Sequence, residues 1–332
     1  MLGLKDIAKQ AGVSASTVSR VLNGKKYIDA EKRARILKLI QETGYVPNKA
    51  ARNMVMKRSF TAGIVIPTTF NMFQRQLFSV IERSLSAFGY HTEVFFLALD
   101  GSGVKECLDR LKAENLDGLI LLHEVKSAAF YEYAAQSGLP VVSTLCNSDD
   151  VPTVKTDDKQ AATEAVNHLI GLGHRKIGLI CDGSFSFGAE RRQGYYDALA
   201  AAGIERNENR VVCVQQYNSE FGMYGMRELL LRGRDFSALF AASDELAIGA
   251  IRVLKDEGIR VPEDISVIGF DDIEIANYFI PRLTTIHQPI KEIGDHAALG
   301  LHRRISGGIH IDPEIVIPHK LIIRESTRAM TR

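Results

Sequence analysis

A short segment near the N-terminus carries the side chains best suited to bind an anionic partner. Ser14 is a good helix N-cap, and Val18, Val21 and Leu22 give the segment after it one apolar face. The opposite face combines small and polar side chains with one arginine. Because a guanidinium can donate two hydrogen bonds to guanine O6 and N7, a helix with this face can enter the major groove of DNA. These outward residues are Ala15, Ser16, Ser19, Arg20 and Asn23.

Two further helices are predicted to support this segment. Apolar side chains recur at helical spacing over residues 4–11, and Gly12 follows where a helix commonly ends. The two segments and the turn at 11–13 therefore predict a helix-turn-helix. A third helix is predicted between Asp29, a good N-cap, and Gly44. Its packing side chains are expected to be Ile36, Leu37, Leu39 and Ile40.

Charge is distributed unevenly along the 332 residues. Residues 1–60 hold 13 Lys and Arg against 4 Asp and Glu, whereas the remainder holds 28 against 36. The overall charge of +1 therefore conceals a small basic region joined to an acidic body. Such a region predicts an anionic partner, and nucleic acid is the default.

The segment from residue 45 to residue 60 joins the basic region to the body. Pro47 interrupts the chain, and Asn48 can cap a helix over 49–56. A helix this short is unstable alone in water, so we expect it to fold when another surface holds it. Met54 and Met56 have no evident core to join. Two interpretations stay open: they pack on the neighbouring domain, or they form an apolar wedge between base steps of the minor groove.

From residue 60 onward, short apolar runs alternate with helical stretches. This alternation predicts parallel sheets covered by helices on both faces, so the fold class is α/β, with an all-α head and two doubly wound lobes. Ligands of such sheets bind beyond the carboxyl ends of the strands, which makes the cleft between the lobes the expected site. Strands are predicted at 61–67, 92–99, 116–123 and 139–146, then at 176–182, 210–217, 238–243 and 264–270, with helices between them that include 191–202 and, later, 290–306.

Several function classes are disfavoured. No run of about 18 apolar residues exists, so we expect no membrane span, and the first ten residues lack the apolar core of a secretory signal. No C-x-x-C pair occurs, which argues against a zinc site or a disulfide framework and favours free thiols in a reducing cytoplasm. The four cysteines are Cys107, Cys146, Cys181 and Cys213.

The motifs of common enzyme classes are also absent. The nine histidines include no H-x-x-x-H or H-E-x-x-H pair, and no G-x-S-x-G nucleophile elbow occurs. No G-x-G-x-x-G follows a predicted strand, and no Walker loop is present. The sequence therefore predicts a protein that is not an enzyme and uses no metal or cofactor.

Two strings in the N-terminal region, KDIAKQAGVSASTVSRVLNG and GYVPNKAARNM, resemble the lactose/galactose repressor (LacI/GalR) family of bacterial transcription regulators. Later strings, among them ERRQGYYDAL and SDELAIGAIRVLKDEGIRVPEDISVIGFDD, are similar to the effector domain of that family, so the resemblance covers nearly the whole chain. It implies a helix-turn-helix domain at 1–47 and a hinge helix or linker at 48–60. An effector-binding and dimerisation domain, similar to periplasmic sugar-binding proteins, would follow at 61–332.

The resemblance further implies that the chain crosses three times between the two lobes of the body. We place these crossings near Thr156, His287 and Ile317. The first lobe would then comprise about 61–155 and 289–316. The second would comprise about 156–288 and 317–328.

The DNA-contacting positions of the family fall on eight residues of this chain. The resemblance implies that one helix reads a half-site of double-stranded operator DNA and that the hinge helix enters the minor groove. Met54 stands at the wedge position, where the family usually has leucine, and is more flexible. The implied contacts are to bases through Ala15, Ser16 and Arg20, to the phosphate backbone through Thr17, Ser19 and Asn23, and to the minor groove through Ala51 and Met54.

The effector-binding positions of the family also have counterparts here. Arg191 and Asp271 stand where the family places an arginine and a carboxylate that bind the effector. A guanidinium donates hydrogen bonds and a carboxylate accepts them, so the two can clamp a polyol or a nitrogen heterocycle, although a purely structural Arg–Asp pair is the alternative. Phe73, Phe187 and Tyr217 match positions that often line the cleft, and Asp157 and Ser243 are further candidates.

The function implied by the resemblance is that of a repressor in the cytoplasm. It would bind a pseudo-palindromic operator as a homodimer and be switched by a small, sugar-like molecule. A dimer is favoured over a tetramer because the chain ends in ESTRAMTR, without a leucine-rich tail. One alternative is a catabolite-control-type regulator whose main signal is a protein partner. Another is a secreted solute receptor, which the basic head and the missing signal disfavour.

Overall fold

The computed structural model describes residues 3–22, 28–44, 58–145, 151–183, 185–307 and 312–330. The chain divides into two compact units, Met1–Ser59 and Phe60–Arg332, which we call the head and the body. Each unit has its own apolar core. Among the described residues, no helix has both the length and the apolar character needed to cross a membrane.

The described residues of the head form three helices, α1 (Leu4–Ala11), α2 (Ala15–Leu22) and α3 (Ala30–Thr43). Gly12, with a φ of 64°, ends α1 in the left-handed conformation that glycine adopts most readily. Asp29 begins α3, since its side chain accepts a hydrogen bond from the third helical amide. The predicted helix-turn-helix and third helix are therefore confirmed.

The core of the head is small and draws on all three helices. Its buried side chains are Ile7, Ala8, Ala11, Val18, Val21 and Ile36. The prediction that Leu37 joins this core is wrong, because that side chain is 47% exposed. Leu37 directly follows the buried Ile36, and one step along a helix turns a side chain by about 100° away from its neighbour.

Some predicted features fall on residues outside those described. They comprise Asn23 and the segment 45–57, which contains most of the expected hinge helix with Ala51, Met54 and Met56. Cys146 lies outside them as well.

The first lobe of the body is built on a six-stranded parallel sheet. Its helix α11 (Ile290–Ile305) packs closely on α4 (Met72–Ala87), because a Cβ at Gly294 would lie 2.6 Å from the Val80 side chain. The other helices are α5 (Val104–Ala113) and α6 (Ala128–Ser137). The strands, in spatial order, are β11 (Glu314–Val316), β5 (Thr153–Lys155), β4 (Val141–Thr144), β3 (Gly118–Leu121), β1 (Thr61–Pro67) and β2 (His91–Leu97).

The second lobe is built on a four-stranded parallel sheet. In spatial order its strands are β7 (Val211–Val214), β6 (Ile177–Asp182), β8 (Ala238–Ala241) and β9 (Ser266–Ile268). Its helices are α7 (Asp158–Gly171), α8 (Ser186–Ala201), α9 (Ser219–Arg232) and α10 (Asp244–Asp256). Two further strands, β10 (Thr285–His287) and β12 (Lys320–Ile322), form an antiparallel pair.

The predicted α/β class with its head and two parallel-sheet lobes is confirmed. The sequence prediction missed β5, β10, β11 and β12, each of which has three residues and is too short to show a periodic pattern. The helix predicted to start at Arg191 begins five residues earlier, at Ser186. Phe187 and Arg191 therefore lie on the same helix, about one turn apart.

Candidate functional site

The second helix of the head presents a polar, exposed surface. The Ser14 hydroxyl caps α2 by accepting a hydrogen bond from the Thr17 amide at 3.2 Å. Ser16 and Arg20 are exposed, and Thr17 and Ser19 are half-buried. Arg20 lies in the last turn of α2 and can reach an anionic or acceptor-rich surface.

Two residues of α2 have additional contacts within the head. Ala15, expected to face outward, packs in part against the core of the head. The Ser14 hydroxyl lies 2.8 Å from the Ser16 hydroxyl and 2.9 Å from that of Thr17. This local network orients the first turn of α2.

A cavity of about 400 Å³ lies between the two lobes of the body. That volume falls within the range of small-molecule binding pockets, roughly 300–1,000 Å³. From the first lobe, Thr68 and His123 follow the carboxyl ends of β1 and β3. From the second lobe, Asp182 ends β6 and Gln216 follows β7. The cavity therefore occupies the crevice at the carboxyl ends of both sheets, where open α/β sheets bind their ligands.

The cavity wall combines polar groups, most of them uncharged, with aromatic rings. Phe187 stacks on Phe185, with the ring centres 5.5 Å apart and the planes at 4°, and meets Tyr217 edge-on at 5.6 Å. These rings can cover the apolar face of a ligand while the polar groups bind its hydroxyls. The polar lining residues are Thr68, Thr69, Asn71, Gln74, Arg75, His123, Asp182, Gln216, Asn218 and Glu245.

His123 was not anticipated from the sequence. Its side chain is 2% exposed and lines the cavity, and neither ring nitrogen has a hydrogen-bond partner among the described residues. Burial lowers the pKa of His123 to about 4, so the ring is neutral at physiological pH. A neutral imidazole offers one donor and one acceptor, a combination suited to a hydroxyl group.

Arg191 lies at the centre of a buried cluster in the second lobe and is 4% exposed. Its Nε donates to Asp158 Oδ1 at 2.6 Å, and its Nη1 donates to the Ala242 carbonyl at 2.7 Å. Nη1 lies 3.6 Å from Asp271 Oδ1, and Cζ lies 3.7 Å from the centre of the Phe270 ring. Among these contacts the closer carboxylate partner is Asp158, which the sequence did not suggest. Asp271 instead accepts a hydrogen bond from Gln288 Nε2 at 2.7 Å.

Buried carboxyl groups surround this single guanidinium. Burial raises the pKa of Asp271 to about 7 and that of Asp158 above its ordinary value, although Arg191 opposes both shifts. The neighbouring Asp244 is completely buried, and its pKa is raised well above the ordinary value. The charge of Asp271 therefore changes near neutral pH.

The seven effector-binding candidates have different positions. Phe187 and Tyr217 line the cavity. The other five candidates are not among its lining residues in the described part of the chain. Phe73 is 4% exposed in the apolar core. Asp157 and Ser243 are helix caps, whose side chains accept the amides of Gln160 and Leu246. Arg191 and Asp271 form the buried cluster behind the wall.

Two carboxylates connect the lobes across the cleft. Glu245, at the start of α10 in the second lobe, accepts the amide of Met72, the first residue of α4, at 2.9 Å. Glu124, in the first lobe, accepts the amide of Ser186, the first residue of α8, at 3.0 Å. The first amides of a helix lack partners within it and carry partial positive charge, so each lobe supplies a carboxylate to a helix start of the other.

A helix-turn-helix with a polar outer face and a two-lobed body with a central cavity together define a class: DNA-binding transcription regulators with a ligand-binding domain. No group of three or more His, Cys, Asp or Glu in the described part of the chain is arranged to hold a metal ion. Residues 3–48 match the family described as bacterial regulatory proteins, lacI family, and residues 166–327 match the periplasmic binding protein-like domain.

Individual relatives cover almost the whole chain. The ribose operon repressor of Haemophilus influenzae is 32% identical over 98% of this chain and 98% of its own. A Lac repressor dimer, solved bound to operator and the anti-inducer ONPF, has a TM-score of 0.86 at 27% identity, with 99% of each chain covered. A complex of the transcriptional regulator CelR with cellobiose has a TM-score of 0.74 at 32% identity, covering 98% of this chain and 100% of the other. The chain belongs to the lacI family of bacterial regulatory proteins, and it is a DNA-binding transcriptional regulator.

Proposed function

We propose that this protein is a cytoplasmic repressor that binds a pseudo-palindromic operator as a homodimer and is switched by a sugar or sugar derivative in the interlobe cavity. In this proposal residues 1–47 read DNA, residues 48–60 form the hinge, and residues 61–332 bind effector and partner subunit. The observation that carries it is the cavity itself, which has polar and aromatic walls from both lobes in a body that follows a DNA-reading head.

The wall chemistry favours a carbohydrate over a strongly charged ligand. One cation, Arg75, and two carboxylates, Asp182 and Glu245, stand among ten polar lining residues, and the rest are hydroxyls, amides and the neutral His123. Sugar hydroxyls both donate and accept hydrogen bonds, as these groups do. The complex of CelR with cellobiose supports the same class of ligand.

Arg191 and Asp271 take an indirect part in this proposal. The Arg191 guanidinium lies 5.4 Å from the centre of the Phe187 ring and 5.8 Å from that of Tyr217. The cluster can therefore hold the aromatic wall from behind, and we expect it to position the rings that contact the sugar. This interpretation keeps the structural Arg–Asp pair open as an alternative to direct effector contact.

Isothermal titration of the full-length protein tests the proposal. The panel contains cellobiose, D-ribose, other sugars, sugar acids and nucleobases. We expect a sugar or sugar derivative to bind with one site per chain and Phe187→Ala to weaken it about tenfold or more, which is about 1.4 kcal/mol of lost stacking and burial. Phe96→Ala is the matched control, because Phe96 is a 56% exposed aromatic that does not line the cavity.

Two results would contradict the proposal. One is binding of only nucleobases, or of no compound in the panel, with DNA affinity unchanged by any of them. That result would favour the catabolite-control alternative, in which a protein partner carries the signal. The other is equal loss of sugar binding in Phe187→Ala and Phe96→Ala, which would place the ligand elsewhere.

A further inference from the structure

Two cysteines face each other across neighbouring strands at the edge of the second lobe. Cys181 on β6 and Cys213 on β7 are direct register partners, and their Sγ atoms lie 3.8 Å apart. The strand β7 lies at the edge of the sheet, and Cys213 is exposed, whereas Cys181 is fully buried. Neighbouring strands lie about 4.8 Å apart, which falls within the Cα separations that a disulfide bridges.

A cation lies beside the exposed thiol. Arg192 Nη1 donates to Cys213 Sγ at 3.4 Å from α8. The charged and titratable groups that act on Cys213 are Arg192, the Cys181 thiol and the Asp182 carboxylate. The hydrogen bond from Cys181, assisted by Arg192, lowers the pKa of Cys213 to about 6, although burial and Asp182 oppose the shift. A thiolate with a low pKa and solvent access is the form of cysteine that peroxides oxidise.

We propose that Cys181 and Cys213 form a reversible thiol switch, which a hydroperoxide oxidises to an intrachain disulfide. In the first step the Cys213 thiolate attacks the terminal oxygen of the hydroperoxide and the O–O bond breaks. The other oxygen leaves as an alkoxide, or as hydroxide when the oxidant is hydrogen peroxide, and Cys213 becomes a sulfenic acid. In the second step the Cys181 sulfur attacks the Cys213 sulfur, and the thiol proton leaves with the sulfenic hydroxyl as water. The two sulfurs lose two electrons, the peroxide gains them, and a dithiol reverses the change.

The pair lies directly beside the cavity wall. Asp182, which follows Cys181, lines the cavity, and its amide donates to the Tyr217 hydroxyl at 3.2 Å. A Cβ placed on Gly183 would lie 3.4 Å from Arg192 and 3.6 Å from Cys213 Sγ, so the segment after β6 rests on this group. A disulfide draws the sulfurs to about 2.05 Å and removes the thiolate that Arg192 binds. Oxidation therefore changes the side-chain contacts beneath the segment after β6, which leads to Phe185 in the cavity wall.

Peroxide treatment of the full-length protein, followed by peptide mapping and mass spectrometry, tests the chemistry. We expect a cross-link between the peptides of Cys181 and Cys213, with loss of two hydrogen atoms and reversal by dithiothreitol. Cys181→Ser should stop at a sulfenic acid that dimedone traps on Cys213. Cys107→Ser is the matched control and should behave as wild type, because Cys107 is buried and burial raises the pKa of its thiol.

Two further measurements make the test specific. Arg192→Gln should slow the peroxide reaction at pH 6 by roughly tenfold, since less thiolate is present. Hydrogen exchange of the oxidised protein should differ from that of the reduced protein in the segments that follow β6 and β7, without any ligand present.

Several results would overturn the inference. They are a cross-link that maps to another cysteine or to another chain, retention of both thiols after peroxide treatment, or identical hydrogen exchange in the two states. Cys213→Ser changes an exposed side chain, so we expect this variant to fold. Formation of a disulfide between other cysteines of this variant at the wild-type rate would also contradict the inference. None of these outcomes depends on sugar binding, so failure here is distinct from failure of the proposed effector site.

Discussion

Arg20 is the residue of α2 best placed to distinguish bases. It is exposed, and its guanidinium can donate two hydrogen bonds to a guanine. We therefore expect Arg20→Ala to reduce operator affinity by about 1–3 kcal/mol while changing affinity for random DNA far less. Fluorescence anisotropy with both DNAs measures this difference. Lys38→Ala is the control, because Lys38 is exposed on α3 and pairs with Glu42. If Arg20→Ala lowers the affinity for operator and for random DNA equally, Arg20 contacts the phosphate backbone instead of a base.

His123 makes the body sensitive to acid. The imidazole has a pKa of about 4 when folded, against an ordinary value of 6.5, so the unfolded chain binds the proton more tightly. The stability that neutral His123 contributes is complete above pH 6.5 and is lost as the pH falls toward 4, by up to about 1.4 kcal/mol per pH unit.

Urea unfolding at pH 7.5 and pH 5 measures the effect of His123. His123→Asn should lose less stability than wild type between the two pH values. His296→Asn changes an exposed histidine of α11 and should follow wild type. If His123→Asn and wild type lose stability equally, the buried ring is not what the proton destabilises.

Arg191 links three elements of the second lobe, because it bonds from α8 to Asp158 on α7 and to the carbonyl after β8. Arg191→Ala would remove the guanidinium that lies beside the buried carboxyl groups of Asp158 and Asp271, and we expect it to lower the free energy of unfolding by about 3–5 kcal/mol. Arg191→Lys keeps the charge without the planar fork and should lose less. Denaturant unfolding of both variants measures the change in the free energy of unfolding. If Arg191→Ala is as stable as wild type, the cluster does not stabilise the fold.

We expect the two carboxylates that bridge the cleft, Glu245 and Glu124, to hold the lobes together in the absence of ligand. Glu245→Gln keeps the shape but removes the charge at the start of α4, where it stabilises the helix by about 0.3–1 kcal/mol or somewhat more when partly buried. We expect the ligand-free cleft to open more often, seen as faster hydrogen exchange at the start of α4. Glu257→Gln, at the exposed other end of α10, should leave that exchange unchanged. Unchanged exchange in both variants would contradict the role of Glu245.

Local signals account for the elements that the sequence predicted well. Helix ends in the head are set by hydrogen bonds or backbone conformations within a few residues, at Ser14, Asp29, Gly12 and Gly44. The helices of the head could therefore be predicted from the sequence. Long apolar strands such as β1 carry their own pattern. The strands β5, β10, β11 and β12 could not be predicted, because three residues are too few to show a periodic pattern. For β10, β11 and β12, the pairing partner also lies more than 30 residues away in the chain.

The site was harder to predict than the fold, because long-range contacts decide it. Asp158 lies 33 residues before its partner Arg191, and nothing in the spacing indicates that they meet. His123 lines a cavity whose other lining residues come from both lobes, so its surroundings could not be predicted from the nearby sequence. By contrast, the family resemblance indicated Phe187 and Tyr217, and both lie after the carboxyl ends of β6 and β7, where open α/β sheets bind their ligands.

In the proposed function, the basic head of the molecule binds DNA and the acidic body binds the ligand. A single helix-turn-helix contacts few base pairs, so specificity requires two heads in one dimer. A ligand can change DNA affinity only if it contacts two states of the body differently. The walls of the cavity come from both lobes, so a change in the angle between the lobes would change the contacts of a bound ligand.

Coupling between the effector and DNA is measured through the affinity of the full-length protein for operator DNA, titrated with the sugar identified by calorimetry. The operator is selected from random DNA with the purified protein and should be pseudo-palindromic. We predict that saturating sugar changes operator affinity at least about fivefold, which is a coupling of about 1 kcal/mol or more, and that Phe187→Ala shifts the required sugar concentration upward. Operator affinity that stays constant from no sugar to saturation would show that the sugar does not switch DNA binding.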